Sequence, residues 1–257
     1  FGFSLVIFSP PANSLLADVG VPETFMIFGL AFLAICVASS LMLANPPEGY
    51  TVPGAVAKKN TNQKQYTPRE MLGTRTFYLI SLSMFFVLPA YFILNPQLIT
   101  LATERGLADY AVTGVMITGL FSATGRLLIS WLSDRIGRTY ALFLIIFMTA
   151  AGILMMIFAN GMMFLVCVAI ISLAFGGASG TYAAVTADHF GTKNMGTNYG
   201  LVTLGFGTSA LIFPFLSKIL SSSGDMTPAF AVAAVTCAIA FVLVLLLRMA
   251  DKKATLA

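Results

Sequence analysis

Seven stretches of this chain are apolar over about 20 residues or more, the length an α-helix needs to cross the hydrocarbon core of a bilayer. They cover approximately 24–44, 74–98, 110–132, 139–160, 162–187, 198–219 and 227–248, and 1–17 supplies most of one more. Charged residues make up 9% of the chain and apolar residues 58%, against roughly 25% and about 45–50% in soluble domains. A soluble protein of 257 residues must cover its core with polar side chains, and this composition leaves too few. Disorder, which needs much charge and few apolar residues, is excluded by the same figures. No segment shows the apolar–polar alternation of barrel strands. The expectation is an all-α membrane protein.

The chain opens on Phe1 with the run FGFSLVIFSPP, which has neither an initiator Met nor a basic leading region. It is not a signal peptide; it reads as a chain that begins inside a helix, with further sequence upstream. Cys36, Cys167 and Cys237 lie in apolar runs without metal-ligand or CxxC spacing, and read as small buried side chains.

The net charge of +4 is a topology signal rather than a nucleic-acid patch. The connections 45–73, 133–138, 188–197 and 249–257, with residues at their edges, carry Lys58, Lys59, Lys64, Arg69, Arg75, Arg135, Arg138, Lys193, Arg248, Lys252 and Lys253. The alternating connections 18–23, 99–109, 161 and 220–226 have only Arg105 and Lys218 at or beside them. By the positive-inside rule the first set is cytoplasmic, which puts the C-terminus there too. The long polar stretch 45–73 reads as an exposed linker. A weak repeat supports the division it makes. GFSLVIFSPP at 2–11 resembles GFGTSALIFP at 205–214, and VPETF at 21–25 resembles MTPAF at 226–230. Parallel repeats of helical halves are a transporter design. Domains are therefore expected at 1–44 (the last helices of an N-terminal bundle that continues upstream), 45–73 (a cytoplasmic linker), 74–250 (a six-helix bundle) and 251–257 (a cytoplasmic tail).

Arg126 is the one basic residue well inside an expected span. A charge at the bilayer centre costs about 2.5–3.5 kcal/mol on insertion scales, so it marks a function or a partner. Gly114, Thr118, Ser122 and Arg126 recur every four residues and form a small, polar stripe on one helix side. A guanidinium held there suits bidentate capture of a carboxylate. The competing reading is snorkelling: Arg126 lies six residues before Leu132, about 9 Å along a helix from the expected end.

SDRIGR at 133–138 reads as a tight charged turn, with Asp134, Arg135 and Arg138 available for contacts to a neighbouring helix end and Gly137 for the bend. The competing reading is a generic positive-inside loop. This segment resembles the cytoplasmic signature loop of the major facilitator superfamily, and it falls between the second and third spans after the linker, where that family has it. Ser130 stands where the family usually has Gly. A closer resemblance, over 1–253, is to the oxalate/formate antiporter family within that superfamily. It is carried by TPREML at 67–72, GRLLISWLSDRIGR at 125–138 and DHFGTKNMGTNYG at 188–200. The resemblance implies a substrate-binding Arg at Arg126. It also implies that Phe206 stands where the oxalate carriers have a Lys.

Pro89, Tyr91, Asn95 and Pro96 suggest a gating bend or a structural kink in the first helix after the linker. AFGGASGTY at 174–182 and LGFGTSA at 204–210 suggest close helix packing. Phe175, Tyr182 and Phe206 could form apolar cavity walls. His189, the only histidine, reads as a structural loop residue or a proton relay. There is no P-loop, nucleophile elbow or metal constellation, so no enzyme, cofactor or metal is expected. The expected function is alternating-access transport of small carboxylates, formate or L-lactate above oxalate, across the cell's inner membrane. The site residues would be Arg126, Ser122, Thr118, Phe175, Phe206 and Tyr182, completed by an N-terminal bundle of the same protein. The rivals are a proton-coupled carrier of a sugar or drug and a transporter-like receptor or scaffold.

Overall fold

The computed structural model describes residues 4–44, 64–221 and 225–256; Gly2 of the repeat and Lys58 and Lys59 of the linker lie outside them. The chain divides into a unit of residues 8–63 and a second unit of 64–257 together with 1–7. Helix α1 (Ser4–Val19) has most of its length in the first unit, followed by α2 (Val21–Met42). Within that unit Phe8 packs edge-on against Phe28 and Phe32 at ring distances of 6.0 and 4.9 Å. Cys36 is exposed on α2, contrary to expectation, whereas Cys167 and Cys237 are buried. Thr24 is the one buried residue of α2, so apolar neighbours in the sequence do not imply burial within this unit.

The second unit is a helical bundle. It contains α3 (Pro68–Leu72), α4 (Arg75–Val87), α5 (Pro89–Glu104), a 3-10 turn (Ala108–Tyr110), α6 (Ala111–Ile136), α7 (Arg138–Phe158), α8 (Met162–Phe190), α9 (Met195–Val202), α10 (Leu204–Leu220) and α11 (Thr227–Leu256). The pairs α4–α5 and α9–α10 each form one span, so six helical spans of this unit and α2 are long and apolar enough to cross a membrane. No strand occurs among the described residues. The chain is an all-α membrane protein, as its apolar runs require.

The most extensive helix contact is between α6 and α8. It is a seam of backbone on backbone. A methyl added at Gly125 would collide with the Leu173 carbonyl, and one at Gly176 with the Ser122 carbonyl. In lipid, where burying apolar surface between helices gains little, such close approach supplies the packing. The buried Tyr182 hydroxyl donates to Ser83 Oγ at 3.0 Å and ties α8 to α4. Arg105 donates to the carbonyls of Met156 and Ala159 at 3.0 and 2.7 Å, meeting acceptors that the end of α7 leaves open.

Two spans are interrupted. Leu88 separates α4 from α5, and Pro89 begins the second piece: it has no N–H to donate to the carbonyl four residues back, and its ring crowds that carbonyl. Thr203 separates α9 from α10. Ser81 on α4 donates to the Val202 carbonyl at 3.2 Å beside that second break, and Gly205 lies so close to the Ser81 carbonyl that no side chain fits. The two broken spans therefore support each other, as membrane proteins require wherever helical hydrogen bonds are lost.

Residues 64–73 are ordered against the α8–α9 turn. Tyr66 N donates to the Phe190 carbonyl at 3.0 Å, and the Tyr66 carbonyl accepts from the side-chain amides of Asn194 and Asn198 at 3.0 and 3.1 Å. Thr67 and Glu70 form a reciprocal capping box at the start of α3, and its hydrogen bonds hold the Glu70 carboxyl below the usual carboxylate range. Met71 is buried.

Candidate functional site

Helix α6 runs four residues beyond its expected end, because Ser133, Asp134, Arg135 and Ile136 are helical rather than part of a turn. Arg126 is thus ten residues, about 15 Å, from the end of α6. The added turn carries the charged Asp134 and Arg135, so it extends the helix end rather than the apolar span. The Arg126 side chain is half-buried, within electrostatic range of Tyr91 on α5 and Tyr199 on α9. Tyr199 donates to the Ser179 carbonyl at 3.1 Å, fixing α9 against α8.

An aromatic cluster adjoins Tyr91. Tyr91 stacks on Phe175 of α8 at a ring distance of 3.6 Å and an interplanar angle of 8°. Phe206 of α10 lies 6.0 Å from Phe175 and 5.2 Å from Phe92. The helix breaks place these rings: Tyr91 and Phe92 lie just past Leu88, and Phe206 just past Thr203. Behind Tyr91 and Phe175 the packing with Ile145, Thr149 and Ile171 leaves no space for a water. The cluster thus presents a solid apolar wall on that side.

The other expected site residues divide. Phe175 and Phe206 join this cluster. Thr118 and Ser122 are buried, with the Ser122 backbone in the α6–α8 seam and the Thr118 hydroxyl donating to the Gly114 carbonyl at 3.0 Å. Tyr182 has its hydroxyl bound to Ser83. On the polar stripe of α6 the Ser122 backbone thus meets α8, and the Thr118 hydroxyl is satisfied within α6 itself. Tyr91 was legible in the sequence only as part of a proline-flanked segment, and the nearness of Tyr199 to Arg126 carried no sequence signal.

At the end of the bundle where α4 begins, SDRIGR makes a turn of a single residue. Gly137 has φ 96°, a region that disfavours side chains, and α7 starts at Arg138. Arg138 pairs with Asp134 one turn away. It also donates from Nε to Asp188 at 2.8 Å and from a terminal nitrogen to Ser133 Oγ at 3.1 Å. The Arg135 guanidinium lies 4.1 Å from the Trp131 ring centre. One arginine thus joins the ends of α6, α7 and α8, and Asp188 from a separate sequence motif is its anchor. Its neighbour His189 faces Asp251 of α11 at 3.0 Å and the Val185 carbonyl at 2.8 Å.

The sequence pattern of the Major Facilitator Superfamily matches residues 1–214 and 80–256, together nearly the whole chain. The chain belongs to the Major Facilitator Superfamily. This places it among transporters and not among enzymes. Two superfamily relatives are similar along most of it. The "Oxalate:formate antiporter" of Oxalobacter formigenes is 27% identical over 248 residues, 95% of this chain and 58% of that protein. The "Uncharacterized MFS-type transporter YhjX" of Escherichia coli (strain K12) is 24% identical over 204 residues, 77% of this chain and 50% of that protein. The chain spans about half the length of these curated relatives.

Proposed function

We propose that this chain is the C-terminal part of a secondary transporter of small carboxylate anions, with monocarboxylates such as formate or L-lactate preferred to oxalate. The observation that carries the reading is Arg126. It is a half-buried guanidinium inside a span, within electrostatic range of Tyr91 and Tyr199, and Tyr91 belongs to an aromatic wall. Its planar fork binds one carboxylate through two charge-assisted hydrogen bonds. Phe206 in the wall leaves this side of the site without a second cation. A dicarboxylate would then keep an uncompensated charge in a dry site, which is costly. A monocarboxylate meets Arg126 at one end and rings at the other. The similarity to an oxalate:formate antiporter supports an anion as cargo.

The bundle of 74–250 rocks against a second bundle, to which 1–44 belongs and from which the rest of the site comes. The segment 45–73 connects the two, and 251–257 is a tail. Alternate exposure of Arg126 to the two sides of the membrane, driven by exchange or an ion gradient, moves the anion. Thr118, Ser122 and Tyr182 position α6 and α8 around it. The basic end of the bundle, with Arg75, Arg135, Arg138, Lys193, Arg248 and Lys252, faces the cytoplasm of the inner membrane. The test is counterflow in proteoliposomes of the full-length protein preloaded with unlabelled formate, lactate, oxalate, a sugar or no solute. Labelled formate or lactate should accumulate only against internal carboxylate. Accumulation driven equally by a sugar, or no flux with any acid, would refute the reading.

A further inference from the structure

We propose that an anionic phospholipid binds in a groove between α4 and α11, its phosphate held by Arg75. The groove has a volume of 520 Å³. On α4 it is lined by Arg75, Tyr78, Leu79 and Leu82, which recur at spacings of three and four and form one face of the helix. Leu246 and Met249 form the matching face of α11. Arg75 to Leu82 spans about 10 Å along the helix axis, so the groove leads from the start of the span inward along apolar walls. Tyr78, Leu82, Leu246 and Met249 are exposed large side chains outside the packed core of the bundle.

The occupant follows from the charge at its mouth. Arg75 is exposed and makes no hydrogen bond or ion pair with the described residues. Arg248, the neighbouring cation on α11, is already engaged: it donates to the Tyr140 hydroxyl at 2.7 Å and lies over that ring. An uncompensated guanidinium at the start of a spanning helix, above a channel for hydrocarbon, matches a phosphate bearing acyl chains. The Tyr78 phenol, one turn further in, is of the type enriched at membrane interfaces. A zwitterionic lipid carries its own ammonium beside the phosphate and gains less from Arg75. At roughly 30 Å³ for each methylene-sized group, comparable to a water's share of liquid volume, the groove holds about as many groups as one acyl chain contains.

The experiment uses full-length protein with its tryptophans replaced by Phe, including Trp131, and a single reporter introduced as Leu82→Trp. It is reconstituted in vesicles of phosphatidylcholine in which brominated phosphatidylglycerol or brominated phosphatidylcholine is titrated as quencher. Phosphatidylglycerol should quench the reporter with roughly fivefold higher affinity than phosphatidylcholine, the contribution of about one basic residue at an anionic surface. Arg75→Gln should bring the ratio to one, and Arg75→Lys should retain part of it. A control reporter at Phe147→Trp, on an exposed site of α7, should show no preference. Equal affinities at Leu82→Trp, a preference that survives Arg75→Gln, or a reporter that neither lipid quenches because protein covers the groove would each overturn the proposal.

Discussion

Replacing Phe206 with Lys should turn the proposed monocarboxylate site toward dicarboxylates at a cost in stability that the structure lets us estimate. Phe206 contacts the rings of Phe92 at 5.2 Å and Phe175 at 6.0 Å. Aromatic pairs contribute about 0.5–1.5 kcal/mol each, so Phe206→Lys and Phe206→Ala should both lose about 1–3 kcal/mol from these contacts. The gain is specific to lysine. A second carboxylate that acquires a charged hydrogen-bond partner is stabilised by about 1.5–3 kcal/mol, roughly ten- to a hundredfold in affinity. Competition of labelled formate uptake by unlabelled formate, lactate and oxalate measures the ratio in each variant. Oxalate should gain in Phe206→Lys relative to Phe206→Ala, and formate should not. If oxalate already competes best in the unmodified protein, or Lys and Ala give the same ratio, the one-cation argument is wrong.

Other consequences can be checked separately. Gly176→Ala forces a methyl into the Ser122 carbonyl and should cost about 1–3 kcal/mol; earlier thermal exposure of the buried Cys167 and Cys237 thiols to a maleimide dye would report it. Asp188→Asn removes the anchor of Arg138, a half-exposed pair contributing under about 1 kcal/mol to stability. Transport rate should fall further than thermal stability, and a rate equal to the parent would exclude a conformational role for this junction. Cysteine placed at 225 should react with an impermeant maleimide on intact cells and cysteine placed at 193 should not; the reverse pattern would invert the topology.

Apolar run lengths made the spans legible, and an isolated Arg inside one of them marked Arg126. The small-residue run at 174–182 likewise foretold the close approach at Gly176. What stayed hidden depends on partners distant in sequence. Pro89 announces the first helix break, but Thr203, between Val202 and Leu204, carries no such mark; its break is legible only from Ser81 and Gly205 across the interface. SDRIGR reads as a loop by composition. Yet α6 continues through Ile136, and the pair of Asp134 with Arg138 closes across the Gly137 break between α6 and α7. The partner of Arg138, Asp188, lies 50 residues away. The 45–73 stretch is polar on the whole, and nothing in its composition marks Tyr66 as the residue strapped to the α8–α9 turn. Periodicity reports which face is covered, not what covers it: it marked Ser122 as facing inward, but not that its backbone would meet Gly176 of α8.

The central claim rests on the guanidinium of Arg126. Its most direct measurement is counterflow of labelled formate and lactate by the full-length protein carrying Arg126→Lys or Arg126→Ala, alongside the unmodified protein, with membrane insertion verified for each. Arg126→Ala should insert normally and carry no carboxylate. Arg126→Lys, which keeps the charge but loses the two-pronged fork, should retain at most a small fraction of the flux. Transport by Arg126→Ala at the rate of the unmodified protein would contradict the account and leave Arg126 a residue of packing alone.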